Sequence, residues 1–195
     1  MPNVEDFQDN PSIYGKKLGE FTMQCPLCGG PLHITEAEYE IPVLGKVLIA
    51  SKRCEKCGYR KNDIVPLEQR EHLRVYFRVE KPEDFEVKVV RSPTARVIIP
   101  ELGLELDPGI DAEMFITNVE GILQLFLDAI QKLRVLDPDV DTTAVESELK
   151  LIIEQRRCGF TVVLDDESGL STFYSENYNI PLLIERVGIK KASTD

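Results

Sequence analysis

The chain has 195 residues, 43% of them hydrophobic and 29% charged, and a formal net charge of −11. That is enough apolar material for one large core or two small ones, and too much for wholesale disorder. No stretch of 18 apolar residues occurs, which excludes a membrane-spanning helix. The acidic opening Met1-Pro2-Asn3-Val4-Glu5-Asp6-Phe7 lacks an apolar signal region, so a cytoplasmic location is expected.

The charge is unevenly spread. Residues 1–44 carry −5, residues 45–78 carry +5 and residues 79–195 carry −11. The long acidic segment works against general nucleic-acid binding, whose affinity comes from phosphate neutralisation. A basic patch nevertheless falls on the most informative motif of the chain.

Residues 1–20 are polar, with Pro11, Gly15 and Gly19 and little periodicity, and read as a flexible tail. Residues 21–68 carry four of the five cysteines in two pairs, Cys25-Pro26-Leu27-Cys28-Gly29 and Cys54-Glu55-Lys56-Cys57-Gly58. Each pair can aim two thiolates at one ion, with the trailing glycine supplying the positive φ that such a knuckle needs. Four soft ligands at about 2.3 Å in a tetrahedron suit Zn²⁺. A disulfide framework needs an oxidising compartment, and a thioredoxin-like redox site needs only one such pair. Iron bound as in rubredoxin shares the knuckles, and spacing does not separate it from zinc. With every ligand position filled by protein, the metal is expected to be structural.

Between the knuckles, Pro31–Ile41 and Lys46–Lys52 read as strands joined by Pro42-Val43-Leu44-Gly45, which makes the module a zinc ribbon. His33 reads as a hairpin-face residue outside a full ligand shell, and His72 as a solvated linker residue. Lys52, Arg53, Lys56, Arg60 and Lys61 crowd the second knuckle. They either offset the −2 charge of four thiolates around a dication or form a docking surface for a partner.

Residues 69–195 alternate apolar and polar positions over short strands, the pattern of a sandwich or barrel. The expected strands are Leu73–Val79, Phe85–Arg91, Ala95–Ile99 and Leu102–Leu106, then Phe160–Leu164, Leu170–Tyr174 and Pro181–Val187. A helical hairpin over about residues 117–158 interrupts them. Thr117-Asn118-Val119-Glu120 and Thr143-Ala144-Val145-Glu146 match the capping box, and Gly159 is placed to end the second helix. Val119, Ile122, Leu123, Phe126, Ile130 and Leu133 share one helical face.

Chemistry-bearing motifs are scarce here. Asp137, Asp139, Asp141 and Glu148 fit a calcium-loop frame, but Thr142 stands where that loop needs glycine, so an acidic linker is the better reading. Both histidines lie in or beside the ribbon, which leaves no nucleophile–base pair for the β domain. Cys158 reads as a small core residue and Asp165-Asp166-Glu167-Ser168-Gly169 as an ordinary turn. No enzyme is expected.

Several blocks together resemble the ZPR zinc-finger family. They are Cys25-x-x-Cys28, Ile41-Pro42-Val43-Leu44-Gly45-Lys46-Val47 and Cys54-Glu55-Lys56-Cys57-Gly58-Tyr59, followed by Val89–Ser92, Ile99–Leu102, Thr117–Gly121 and Phe160–Gly169. The blocks span about residues 22–187 in the family's order, one copy of a module that eukaryotic members carry twice. Gly45-Lys46 stands where many relatives have a bulkier residue and arginine. The resemblance implies a mainly β fold: a zinc ribbon with one structural Zn²⁺, then a double-stranded β-helix (jelly-roll-like) domain carrying the helical hairpin. It also implies a non-catalytic role, binding translation elongation factor 1-alpha and assisting its folding as a chaperone. On that expectation the chain is a monomer and Lys52, Arg53, Lys56, Tyr59 and Arg60 are candidate partner contacts. The alternative is a nucleic-acid-binding ribbon of the transcription or translation apparatus. A third reading, metal buffering or redox work, requires exchangeable zinc.

Overall fold

Four strands surround the cysteine pairs: β1 (Lys16–Gln24), β2 (Pro31–Ile41), β3 (Gly45–Arg53) and β4 (Arg60–Pro66), an antiparallel sheet in the order β1-β2-β3-β4. A computed structural model describes residues 15–41, 45–68 and 70–188. The chain divides into two units, Met1–Gln69 and Arg70–Asp195.

The central hairpin β2–β3 follows the sequence pattern, while both outer strands were invisible to it. β1 begins at Lys16, so part of the segment expected to be a tail is sheet; residues 1–14 and the expected turn at residues 42–44 lie outside the described residues. Leu18, Phe21 and Met23 of β1 are about half exposed, which leaves the strand no buried apolar face to signal itself. Its order comes from the ladder to β2, from Lys16 opposite Glu38 to Gln24 opposite Pro31, with an irregularity between Lys17 and Gly19.

Among the described residues the second unit holds eight strands: β5 (Leu73–Val79), β6 (Lys88–Arg91), β7 (Ala95–Ile99), β8 (Leu104–Leu106), β9 (Phe115–Asn118), β10 (Phe160–Asp166), β11 (Thr172–Tyr174) and β12 (Leu183–Arg186). They form a five-stranded sheet, β12-β5-β10-β7-β8, and a three-stranded sheet, β11-β6-β9, with every pair antiparallel. Val75, Phe77 and Val79 point into a core shared with Val89 and Phe173 of the smaller sheet. The Phe77 and Phe173 rings meet at 5.3 Å between centroids. This is the expected jelly-roll-like domain.

Two helices interrupt the strands, α1 (Val119–Leu136) and α2 (Thr143–Gln155). Val119, Ile122, Leu123, Phe126 and Ile130 bury against the core, with Leu149 and Ile152 from α2. Leu133 is 42% exposed, because the last turns of α1 run past the core. The caps also differ from expectation. Thr117 still belongs to β9, and it is Asn118 that accepts the Gly121 amide at 2.8 Å. α2 ends on Arg156 at φ 47 rather than on Gly159. A left-handed arginine costs about 1 kcal/mol, and the Arg156 guanidinium offsets this by donating to Glu86, Glu120 and the Pro82 carbonyl.

Four expected strands are shorter than their patterns: β6 starts at Lys88, β8 at Leu104 and β11 at Thr172, and β12 runs only Leu183–Arg186. Phe85 and Glu86 fall in a 3-10 turn, Pro82–Glu86, where the Asp84 carboxylate accepts the Glu80 and Lys81 amides. Pro100–Leu102 forms a second such turn before β8.

Candidate metal centre

Each cysteine pair sits in a loop between two strands, Cys25 and Cys28 after β1 and Cys54 and Cys57 after β3. The two loops are built alike. The Cys25 amide donates to the Gly30 carbonyl at 2.8 Å and the Gly29 amide to the Cys25 carbonyl at 2.9 Å. In the second, Cys54 donates to Tyr59 at 2.8 Å and Gly58 to Cys54 at 3.0 Å. Gly29 and Gly58 occupy the left-handed region at φ 68 and φ 75, the conformation that closes each knuckle with little strain only for glycine.

The four sulfurs converge. All lie within 4.8 Å of one another. Cys25 and Cys57 are 3.7 Å apart and Cys28 and Cys54 are 3.6 Å apart, Sγ to Sγ. Four sulfurs at about 2.3 Å from a central ion would stand about 3.8 Å apart along each tetrahedral edge, so the cage fits Zn²⁺. Leu32 and Ile34 pack on Cys25 and Cys54, with Cys28 and Tyr59 at the margin. Cys25 and Cys54 are buried while Cys57 is exposed, and four thiolates leave no ligand position for a substrate. The site is structural.

Its acid–base balance calls for a cation. Cys54 is desolvated, yet amides of Cys57 and Lys56 and the neighbouring sulfurs bring its thiol down to about 7. The Tyr59 amide favours the Cys57 thiolate, but desolvation and the sulfurs of Cys28, Cys25 and Cys54 push Cys57 up to about 12. Four sulfurs this close cannot all shed their protons unless a dication takes up the charge.

Sheet register sorts the predicted partner contacts onto opposite faces. Lys52 is opposite Lys61 and Ile34, whereas Arg53 is opposite Arg60 and His33. Because successive residues alternate sides, Lys52 and Lys61 share one face, and Arg53 and Arg60 share the other. Lys52 is held in an ion pair with Asp63, which also faces Lys61 at 3.6 Å. Asp63 is the residue that sequence reasoning missed; only the β3–β4 register brings it between two lysines. Arg53, Lys56 and Arg60 are exposed, and Tyr59 is half-buried beside the cysteines. His33 is not one of the four converging ligands; its Nδ1 lies 3.4 Å from the Thr22 hydroxyl.

Residues flagged elsewhere have structural partners. Asp141 accepts the Thr143 amide at the start of α2, and Glu148 pairs with Arg157. The Cys158 thiol, pushed up by burial and by Asp84 and Glu83, packs at the core margin. His72 is not a solvated linker residue: its Nε2 lies 2.5 Å from Asp165 Oδ1.

Two family descriptions match the chain, the ZPR1 zinc-finger domain over residues 18–70 and the ZPR1 jelly-roll domain over residues 83–181. An uncharacterized ZPR1-like protein of Methanocaldococcus jannaschii is 36% identical over 168 residues, 84% of this chain and 85% of its own. A second such protein, from Pyrococcus horikoshii, is 34% identical over 83% of this chain and 76% of its own length. The zinc finger chaperone zpr1 of Schizosaccharomyces pombe is 32% identical over 83% of this chain, which corresponds to 36% of that longer protein.

Proposed function

Because the chain belongs to the ZPR1 zinc-finger family, we propose that it is a non-enzymatic chaperone that binds translation elongation factor 1-alpha and assists its folding. The observation that carries this reading is the match of both modules, ribbon and jelly roll, to one family with a relative named as a zinc finger chaperone. The four-cysteine cage supports it, since a metal with four thiolate ligands holds a shape and offers no reaction centre. A cytoplasmic monomer is the form in which such a protein would meet its client.

The ribbon contributes the Arg53–Arg60 face, with Lys56 and Tyr59, as the surface that meets an acidic stretch of the client. Lys52 belongs to the ion pair with Asp63 and plays a supporting part. The test is capture of newly made elongation factor by the full zinc-bound chain. Arg53→Glu/Arg60→Glu should lose capture while retaining zinc. Unchanged capture would remove this face from the proposal.

The second reading, nucleic-acid binding, rests on the same row of Arg53, Arg60 and His33 across three strands. It requires RNA or DNA affinity that falls steeply with salt. No complex at low salt would dismiss it.

A further inference from the structure

Among the described residues Arg91 is the one buried arginine, at 6% exposed. It stands two residues beyond Val89 on β6, so its side chain leaves on the core-facing side. There its Nε donates to the Ala95 carbonyl at 3.1 Å, and its guanidinium carbon lies 5.5 Å from the centroid of the Phe115 ring. Arg91 ends β6, Ala95 begins β7 and Phe115 begins β9, so the group bridges the two sheets at one end of the jelly roll. The open ends of closed β folds are places where ligands settle.

The charge of Arg91 lacks a partner. Arg74, Arg78, Arg96, Arg134, Arg156 and Arg157 each hold a carboxylate. Among the described residues no carboxylate pairs with Arg91, and no acceptor stands against its Nη1 or Nη2. Asp166 is near enough to favour the charged form, but its oxygens are taken by Ser92, Thr94, Ser168, Leu170 and Ser171. Burial outweighs that help and pulls the Arg91 pKa down. The two Nη tips are not sealed in, since the fully buried polar atoms without a partner are Asp63 Oδ1 and Thr142 Oγ1 among the described residues. A guanidinium so desolvated is costly, and an anion on its free tips would offset the cost.

We propose that Arg91 is the floor of a carboxylate-binding site at this end of the jelly roll. Nη1 and Nη2 each donate to one carboxylate oxygen, while the Nε bond to Ala95 and the face of Phe115 fix the plane of the fork. A carboxylate suits the site better than a phosphate. It is planar and carries one charge, whereas a dianion would meet the Asp166 carboxylate and a segment, residues 79–195, that carries −11. The site belongs to the jelly roll alone and is independent of the ribbon face proposed for the client.

Nuclear magnetic resonance of the full zinc-bound chain, titrated with sodium acetate against sodium chloride at equal ionic strength, tests this. The Arg91 Nε–H signal and the Ala95 and Phe115 amides should shift and saturate with acetate, and stay in place with chloride. Arg91→Lys keeps the charge but loses the fork, and should bind acetate about tenfold more weakly. If that variant fails to fold, the two salts on the unaltered chain decide alone. A capped tripeptide with a central glutamate, set against one with glutamine, separates the sources of the carboxylate. Tighter binding of the glutamate peptide than of acetate assigns the site to an acidic side chain of a protein; equal or weaker binding assigns it to a small free carboxylate. Shifts that follow chloride, that never saturate, that persist unchanged in Arg91→Lys, or that saturate at less inorganic phosphate than acetate would each overturn the proposal.

Discussion

Ser92 and Asp166 are 74 residues apart in sequence, yet the Ser92 hydroxyl donates to Asp166 Oδ1 at 2.7 Å inside the jelly roll. The same carboxylate accepts the hydroxyls of Thr94 and Ser168 and the amides of Ser168, Leu170 and Ser171. Asp166 is 1% exposed, so these donors replace the water it gave up.

Replacing Asp166 by asparagine keeps the size but turns an amide group toward some of those donors. The expected loss is about 3 kcal/mol of stability, since hydrogen bonds to a charged group are among the stronger ones and their donors are left buried. The midpoint of urea unfolding, followed by a jelly-roll signal, measures it.

Acid should unfold the jelly roll through the same residue. Burial alone would raise the Asp166 pKa, but the donors from Thr94, Ser92 and Ser171 outweigh it and hold the group down at about 2. A folded value below the unfolded one, about 3.9, gives stability that is complete above that value and is lost as pH falls toward 2. The window is worth about 2 kcal/mol. Asp165, held low by His72 and Arg74 against its own desolvation, acts with the same sign. Through Asp166 the unfolding free energies at pH 6 and pH 3 should differ by about 1 kcal/mol, roughly half of the window, since at pH 3 the folded carboxyl is still mostly ionised, and Asp166→Asn should remove that part of the difference.

Removing zinc should melt the ribbon and spare the jelly roll. The cage region has a small apolar wall, Leu32 and Ile34 with the cysteines, and structural zinc contributes about 10–16 kcal/mol at neutral pH. After chelation, amide resonances of β2 and β3 should collapse into the unfolded region while those of β5 and β10 persist. A ribbon that kept its dispersion without metal would contradict the structural role.

Gly58→Ala should weaken zinc binding. No atom lies within 4 Å of a Cβ built at Gly58, so the cost is backbone strain alone at φ 75. That strain is about 1–2 kcal/mol, roughly a tenfold loss in affinity, read by competition with a chromophoric chelator. Gly29→Ala, at φ 68 and equally unobstructed, should behave alike.

The cysteine cage was legible because its information is local. Two cysteines three residues apart, with a glycine behind them, specify a knuckle wherever it occurs, and the four sulfurs then have one ion to share. The strands β2, β5 and β10 and the buried stripe of α1 were legible for a related reason: one face buries, and the period shows it. β1 and β4 were not, since exposed edge strands carry no such period and are ordered by their neighbours' backbones.

Contacts between distant segments had to come from the tertiary structure. Asp63 between two lysines depends on strand register, His72 on Asp165 depends on the pairing of β5 with β10, and Asp166 gathers donors from both sides of the helical hairpin. Sequence by itself determined the four-cysteine cage, the two-module plan and the family pattern, because short-range geometry and alternation encode them. Which charges face solvent and which carboxylates hold the fold together were decided by chain folding. A hydrogen-bond donor tens of residues away leaves no mark on the segment that receives it.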